Sequence, residues 1–187
     1  MKRKIIALTG GIGSGKSEVA RILREMGYQT VDCDVLAREI ADEPEVIAAV
    51  EGLLGSECVV NGAINRSKVR EKVFADEKLL KKYDEIFFCR VRQRLVEIVD
   101  GISETVFVEI PIIDAFEFPF DEIWLVNCPE KTRIDRVTVR DGVSAENVEH
   151  IMNRQRYSRY TRVISNDGSI EDLRQQAFLA LKNAQIV

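Results

Sequence analysis

The residues with the clearest chemical role lie in a glycine-rich stretch near the start of the chain. Gly10-Gly11-Ile12-Gly13-Ser14-Gly15-Lys16-Ser17 follows the mostly apolar run Lys4 to Thr9 and fits the pattern of Gly, four free positions and Gly-Lys-Ser/Thr. Glycines let the backbone curl so that successive N–H groups point at phosphate oxygens, and a helix starting near Lys16 adds its positive N-terminal dipole. The pattern predicts a phosphate-binding loop between a buried strand and a helix.

Lys16 and Ser17 indicate which phosphates this loop binds. The Lys16 ammonium is expected against the β and γ phosphates of a nucleotide, and the Ser17 hydroxyl is the expected protein ligand of Mg²⁺. A simple glycine-rich turn is the structural alternative, but such a turn has no use for Lys followed by Ser. We therefore expect a triphosphate to contact the whole loop, namely Gly11, Ile12, Gly13, Ser14, Gly15, Lys16 and Ser17.

Carboxylates follow two other predicted strands. Asp32 and Asp34 come at the end of the second strand, which is the edge where open α/β sheets place their ligands. Asp34 is suited to accept the proton of an attacking hydroxyl, although a helix N-cap is the alternative role for it. Glu109 ends the buried run from Thr105 and resembles a Walker B acid, so it is a candidate to hold Mg²⁺ through water.

Arginines are concentrated in the last third of the chain. Arg133, Arg136 and Arg140 share one face of a predicted helix, where ion pairs with Asp135 or Asp141 are the alternative to a role with phosphates. Gly142 then marks a joint before a second predicted helix, which we expect to run from Ala145 to about Tyr160. That helix carries Arg154, Arg156 and Arg159, an arrangement typical of a lid that closes over transferring phosphates.

The elements that must position these residues alternate between strand and helix. The P-loop helix is expected to end near Met26, and further short strands are expected at 28–31, 105–111, 123–127 and 162–164. Residues 45–100 have a helical period, interrupted by one hairpin with its turn at Asn61-Gly62. The pattern predicts an α/β sheet with a helical insertion, whose basic residues, Arg66 among them, form either a solvated face or a grip on an acceptor's phosphate.

Composition sets the outer limits on the class of protein. The chain has 187 residues, a hydrophobic content of 45% and a net charge of −4, which fit one globular domain and argue against a general nucleic-acid binder. The longest apolar runs are too short to cross a membrane. The four cysteines show no CxxC spacing, which favours free thiols in a reducing, cytoplasmic compartment. Oligomeric state is left open by these features.

Taken in order, these motifs resemble the dephospho-CoA kinase family along almost the whole chain. The opening Leu8 to Ser17 and the segment Asp32-Cys33-Asp34 with Ala37-Arg38 carry the most specific part of the resemblance. The match continues in order through Asn65-Arg66, Val73-Phe74, Glu109-Ile110-Pro111-Ile112-Ile113, Arg136 to Arg140-Asp141, Gln155 and Val163 to Ser169.

The resemblance implies a five-stranded parallel P-loop kinase sheet flanked by helices, with a core at about 1–34, 104–140 and 162–187. It implies a helical acceptor-binding insertion at about 35–103 and an Arg-rich lid at about 141–161. The reaction would be phosphorylation of the 3′-hydroxyl of dephospho-CoA by ATP with Mg²⁺. Asp34 would be the base, Arg66 would bind the acceptor, and Asn166 would lie near the adenine. The residues that would stabilise the phosphates are Lys16, Arg140 and Arg136.

Two other functions are compatible with the same residues. One is a related P-loop kinase for another small hydroxyl acceptor, and the other is a non-catalytic nucleotide-binding protein. A GTPase is disfavoured because no Asn-Lys-x-Asp guanine motif occurs in the sequence.

Overall fold

The computed structural model describes residues 3–73, 76–155 and 157–187. Phe74 and Arg156, which the sequence singled out, lie outside the described residues, as does the side chain of Arg154. The chain forms two compact units, one made of Met1–Asp32 with Ile102–Val187 and the other of Cys33–Gly101.

Helices and strands alternate along most of the chain. Apart from two short 3₁₀ turns at Ser56–Cys58 and Ile113–Ala115, the elements are, in order, β1 (Ile5–Thr9), α1 (Lys16–Glu25), β2 (Gln29–Asp32), α2 (Cys33–Ile40), α3 (Pro44–Leu54), β3 (Val59–Val60), β4 (Ala63–Ile64), α4 (Arg66–Val73), α5 (Glu77–Asp100), β5 (Val106–Glu109), β6 (Glu122–Asn127), α6 (Glu130–Asp141), α7 (Ala145–Arg154), β7 (Arg162–Ser165) and α8 (Ile170–Asn183).

The first unit is built on a five-stranded sheet in the order β2-β5-β1-β6-β7. Every neighbouring pair in this sheet is parallel, which confirms the predicted fold class. The register places Leu8 of β1 beside Glu109 of β5, and Glu109 beside Asp32 of β2. The acids at the ends of β2 and β5 therefore reach the same edge of the sheet as the glycine-rich loop that follows β1.

The core of this unit forms because β1 is apolar on both faces. Ile6, Ala7 and Leu8 are fully buried, as expected of a central strand in a parallel sheet. Side chains of α1 and α8 join Phe107 and Trp124 in one hydrophobic cluster. The two rings pack with their centroids 5.1 Å apart. This packing fixes β1 and α1, and with them the two ends of the loop between them.

One predicted boundary in this unit is wrong. The helix expected from Ala145 to about Tyr160 is α7, which begins after the N-cap Ser144 but ends at Arg154, and Gln155 is already extended. The ends of α1 and α6 are close to prediction. Met26 is the C-cap of α1, and Gly142, in the left-handed conformation, is the C-cap of α6. Arg159 therefore lies outside the helix that was expected to carry it.

The second unit is mainly helical, as its periodicity predicts. β3 and β4 form the expected two-residue hairpin, in which Asn61 has φ of 52° and Gly62 has φ of 76°. Two positive φ values are the requirement of a type I′ turn, which Asn-Gly satisfies at little cost. The long helix α5 packs against α2, α3 and α4.

The cysteines agree with the sequence-based expectation of free thiols. Cys33, Cys58, Cys89 and Cys128 are all free thiols. In the described ranges 3–73, 76–155 and 157–187, no helix is long and apolar enough to cross a membrane.

Candidate active site

The loop between β1 and α1 has a conformation that requires its glycines. Gly13 and Gly15 have φ of 75° and 87°, in the left-handed region that other residues avoid. The Ser14 N–H donates to the Gly11 carbonyl at 3.0 Å, which closes a turn, and α1 begins at Lys16 directly after Gly15. The loop thus brings the N-terminus of α1 to the end of β1, an arrangement that is suited to bind an anion.

Side chains from distant parts of the chain hold this loop from outside. The buried Asn166 amide donates to the Ser14 carbonyl at 2.7 Å, and the Asn166 backbone N–H donates to Asn127 at 2.8 Å. The Ile12 N–H donates to Gln155 Oε1 and the Ile12 carbonyl accepts from Arg133 Nε, both at 2.9 Å. Asn166 therefore supports the loop itself, and the adenine contact implied by the family resemblance stays a prediction.

Glu109 is the buried acid of the site. Its side chain is 3% exposed, with Lys16 Nζ 4.0 Å from Oε2 and Arg24 Nη1 3.7 Å from Oε1. Burial raises the pKa of the Glu109 carboxyl and the neighbouring Asp32 acts in the same direction, whereas Lys16, Ser17 and Arg24 lower it. The net shift is upward, so desolvation outweighs the attraction of the two cations.

The polar atoms beneath the loop fit a bound cation and its waters. Glu109 Oε2, Ser14 Oγ and Thr9 Oγ1 are buried without a hydrogen-bond partner. Buried polar groups are normally paired, and a carboxylate oxygen and a hydroxyl are donors that Mg²⁺ prefers. No group of three or more His, Cys, Asp or Glu residues that could hold a metal is present among the described residues. A cation here would thus keep most of its coordination to water and phosphate.

The arginines of the predicted lid helices have different partners. Arg136 Nη1 donates to Cys128 Sγ at 3.4 Å, and it lies 3.7 Å from the position that a Cβ on Gly15 would occupy. Arg140 is exposed and makes a two-fold ion pair with Asp141 at 2.7 Å, which is the alternative that the sequence left open. Arg136 therefore lies at the loop, whereas Arg140 is held by its own neighbour.

The segment after α7 lies against the loop that follows β5. The Ser158 N–H donates to Asp114 Oδ2 at 2.9 Å. Arg159 Nη2 donates to the carbonyls of Ile113 and Phe116 at 2.9 and 3.1 Å. Arg159 thus binds the backbone of the loop after β5. Its predicted role above the phosphates has no support in these contacts.

The second unit contains a cavity of about 440 Å³. It brings together Asp34 and Arg66, the two residues predicted to bind the acceptor, in walls formed by Asp34, Ala37, Arg38, Ala41, Ile64, Arg66, Tyr83, Asp84, Phe87 and Phe88. Asp34 is the second residue of α2 and not its N-cap, so the capping alternative is disfavoured. Burial raises the pKa of the Asp84 carboxyl and of the Tyr83 hydroxyl.

Sequence reasoning missed the roles of several of these residues. Arg133 and Gln155 contact Ile12 across more than 100 positions of the chain. A pattern of neighbouring residues in the sequence cannot predict such contacts. Tyr83 and Phe87 form part of a helical apolar period, and such a period looks the same whether it covers a core or lines a cavity.

A glycine-rich loop at the central strand of this parallel sheet, with a buried acid on the neighbouring strand, defines the chain as a P-loop nucleotide-binding protein of the kinase class. A family model described as dephospho-CoA kinase matches residues 4–172. The chain belongs to the dephospho-CoA kinase family.

Individual relatives agree with this assignment. A dephospho-CoA kinase of Thermus thermophilus is 36% identical over 179 residues, which cover 90% of this chain and 86% of the relative. The crystal structure of TT1252 from Thermus thermophilus has a TM-score of 0.86 and 34% identity, with 98% of each chain covered. Dephospho-CoA kinase from Campylobacter jejuni has a TM-score of 0.59 with 22% identity over 98% of each chain, a likeness that concerns the fold alone.

Proposed function

We propose that this protein transfers the γ-phosphoryl group of ATP to the 3′-hydroxyl of dephospho-CoA, which gives CoA in the last step of its biosynthesis. The observation that carries the proposal is the phosphate loop of a dephospho-CoA kinase family member, with Lys16 at its end and the buried Glu109 4.0 Å from that lysine. The free thiols are compatible with a cytoplasmic location, which we also propose.

The residues of the first unit are suited to bind and stabilise the phosphates. The backbone N–H groups from Gly13 to Ser17 would surround the β-phosphate, and Lys16 would neutralise charge shared between the β and γ groups. Ser17 would hold Mg²⁺ directly, with Glu109 acting through water. Bound there, Mg²⁺ supplies positive charge that offsets the negative charge on the transferring group.

Arginines add to this stabilisation. Arg136, whose Nη1 lies close to Gly15, would reach the phosphates from the α6 side. Arg140 would have to exchange Asp141 for a phosphate to act there, so its assignment rests on the family resemblance. Guanidinium groups suit this role because they stay charged and bind phosphate oxygens in pairs.

The second unit would bind the acceptor and supply the base that deprotonates it. An anionic, nucleotide-like acceptor suits a cavity that offers Arg38 and Arg66 beside the aromatic rings of Tyr83 and Phe87. In the transfer step, the acceptor oxygen forms a bond to the γ-phosphorus while the bond from that phosphorus to the β–γ bridging oxygen breaks. Asp34 accepts the hydroxyl proton, and ADP leaves with the electron pair of the broken bond.

The decisive experiment is a substrate panel. The purified protein is incubated with MgATP and dephospho-CoA, pantetheine or nucleoside monophosphates, and products are identified by mass spectrometry. We expect a gain of one phosphoryl group on dephospho-CoA alone. Phosphorylation of another acceptor would instead identify a related kinase, and nucleotide binding with no product would identify a non-catalytic nucleotide-binding protein.

A further inference from the structure

The peptide groups on either side of Ile12, at the tip of the phosphate loop, are both bound by side chains. Gln155 Oε1 accepts from the Ile12 N–H at 2.9 Å, and Arg133 Nε donates to the Ile12 carbonyl at 2.9 Å. Arg133 Nη2 also donates to Gln155 Oε1 at 3.4 Å. The two side chains thus form a closed ring of hydrogen bonds with Ile12, which we call the Ile12 clamp.

The clamp joins three separate parts of the first unit. Arg133 lies in α6, 121 positions from Ile12, and Gln155 directly follows α7, 143 positions from Ile12. The Gln155 N–H donates to the Met152 carbonyl at 3.0 Å, so the residue is also fixed to the end of α7. Gln155 therefore links the loop tip to the segment that the sequence predicts to be the lid.

Gly11 makes room for the clamp. A Cβ on Gly11 would lie 2.1 Å from Arg133 Nη2, so the guanidinium would have to move away, and its 3.0 Å distance from Gln155 Oε1 would also be tight. Gly13 is enclosed in the same way, because its Cβ would lie 2.6 Å from the Arg133 carbonyl. The space available for a side chain thus favours glycine at both positions, independently of phosphate binding.

We propose that Arg133 and Gln155 are positioning residues for nucleotide binding, acting through Ile12. By fixing both hydrogen-bonding groups of Ile12, the clamp holds the following residues, Gly13 to Ser17, with their N–H groups already directed at the phosphates. A loop ordered in advance loses less conformational entropy when it binds, which increases affinity. The inference rests on nucleotide binding at this loop and is independent of the identity of the acceptor.

The test compares three substitutions in the full-length protein. Gln155→Ala removes the acceptor for the Ile12 N–H, Gln155→Glu keeps an acceptor oxygen, and Asn153→Ala changes an exposed amide on α7 as a matched control. MgATP affinity is measured by calorimetric titration in the absence of any acceptor. We expect Gln155→Ala to raise the Kd for MgATP about 5- to 10-fold, the worth of roughly one hydrogen bond, with Gln155→Glu and the control within about two-fold of wild type.

Arg133→Lys tests the other half of the clamp. Lysine keeps the positive charge but cannot donate from two nitrogens to Ile12 and Gln155 together. Its effect on the Kd should not add to that of Gln155→Ala in the double variant, because both act on the same peptide. In steady state, the KM for ATP should rise while the KM for the acceptor stays constant. If Gln155→Ala does not fold, Gln155→Met, which keeps the length without an acceptor, replaces it.

An unchanged or lower Kd in the clamp variants, or an equal effect of Asn153→Ala, overturns the proposal. So does failure of Gln155→Glu to restore affinity. These outcomes differ from failure of the proposed function, in which wild-type protein binds MgATP and phosphorylates no dephospho-CoA. Because the titration contains no acceptor, it remains decisive for the clamp in that case.

Discussion

Glu109 is a carboxyl buried in the protein, and a bound cation would offset the cost of burying its negative charge. The carboxyl has a raised pKa because it is desolvated, and its Oε2 atom has no hydrogen-bond partner. A carboxyl that binds its proton more tightly in the folded than in the unfolded chain loses this advantage as the pH rises through the folded value. Ionised Glu109 therefore lowers the free energy of unfolding of the ligand-free protein at neutral pH.

Glu109→Gln should consequently stabilise the ligand-free protein and impair the enzyme. Without metal or nucleotide, we expect the variant to have a higher Tm than wild type at pH 7, with the difference shrinking as the pH falls through the raised pKa of folded Glu109 and absent below about 4.3, the usual pKa of Glu. With MgATP, activity should drop by about 10- to 100-fold, the usual effect of losing a group that orients a metal's ligands. Calorimetry across pH and initial-rate assays measure the two effects.

The exposed Glu104, close to β5 in the sequence, supplies the control as Glu104→Gln, which should change neither quantity. A lower Tm for Glu109→Gln at pH 7 would show that the ionised carboxylate is stabilised by its two cations, contrary to the direction of its pKa shift.

Asp34 is the residue that best separates a kinase from a nucleotide-binding protein without activity. Asn at this position keeps the size of the side chain but cannot accept a proton, so we expect Asp34→Asn to lower kcat by on the order of 10²-fold with ATP affinity almost unchanged. Asn keeps the size of the side chain and a hydrogen-bonding oxygen, so stability should fall by less than about 1 kcal/mol, the usual worth of a charge at a helix N-terminus. The exposed Asp42, as Asp42→Asn, controls for a general effect of charge. Normal turnover by Asp34→Asn would move the base to another residue, Asp32 first.

Among helices, strands and turns, the sequence predicted those that depend on interactions between residues close together in the chain. The strand, loop and helix around Lys16 follow from an apolar run, glycines and a helical period, and the Asn61-Gly62 hairpin follows from turn chemistry. The end of α7 could not be predicted in this way. No Gly or Pro follows Arg154, and the helix stops where Gln155 turns its side chain to Ile12, a contact that only the folded chain creates.

The same distinction applies to the arginines. Their spacing predicted a common face correctly, but side-chain partners depend on what lies opposite: Cys128 for Arg136 and the adjacent Asp141 for Arg140. Long flexible side chains reach several acceptors from one backbone position, so spacing alone does not choose among them.

Gly142 lies between α6 and α7, and its substitution tests the left-handed end of α6. It adopts φ of 67° as the C-cap of α6, and a Cβ there would meet nothing within 4 Å. The only effect of Gly142→Ala is then backbone strain, which we expect to lower the free energy of unfolding by about 1–2 kcal/mol. Urea denaturation measures it.

Gly52 in α3 is the matched control for this substitution. A Cβ there also meets nothing within 4 Å, but the residue is in a helix interior with no positive φ. Gly52→Ala should therefore raise stability, by about 0.5–1 kcal/mol. Equal signs for the two variants would show that the left-handed cap of α6 is not kept in solution.

At the scale of the whole molecule, the proposed nucleotide site and the proposed acceptor site belong to different units. The phosphate loop lies in the unit Met1–Asp32 with Ile102–Val187, and the cavity with Arg66 lies in Cys33–Gly101. Each ligand that binds only the folded chain adds to its stability in proportion to the logarithm of its concentration over its Kd. The two sites can therefore be tested separately by thermal unfolding.

We expect MgATP at about 100 times its Kd to add about 2.7 kcal/mol, which for a chain of this length raises Tm by roughly 5–10 °C. Dephospho-CoA at the same excess should raise Tm by a comparable amount. Lys16→Ala should abolish the shift with MgATP and keep that with dephospho-CoA, because it removes a charge directed only at nucleotide phosphates. Arg66→Ala should do the reverse, since Arg66 lines the cavity of the other unit. Loss of both shifts in either variant, with an unchanged Tm in the absence of ligands, would contradict the assignment of Lys16 to the nucleotide and of Arg66 to the acceptor.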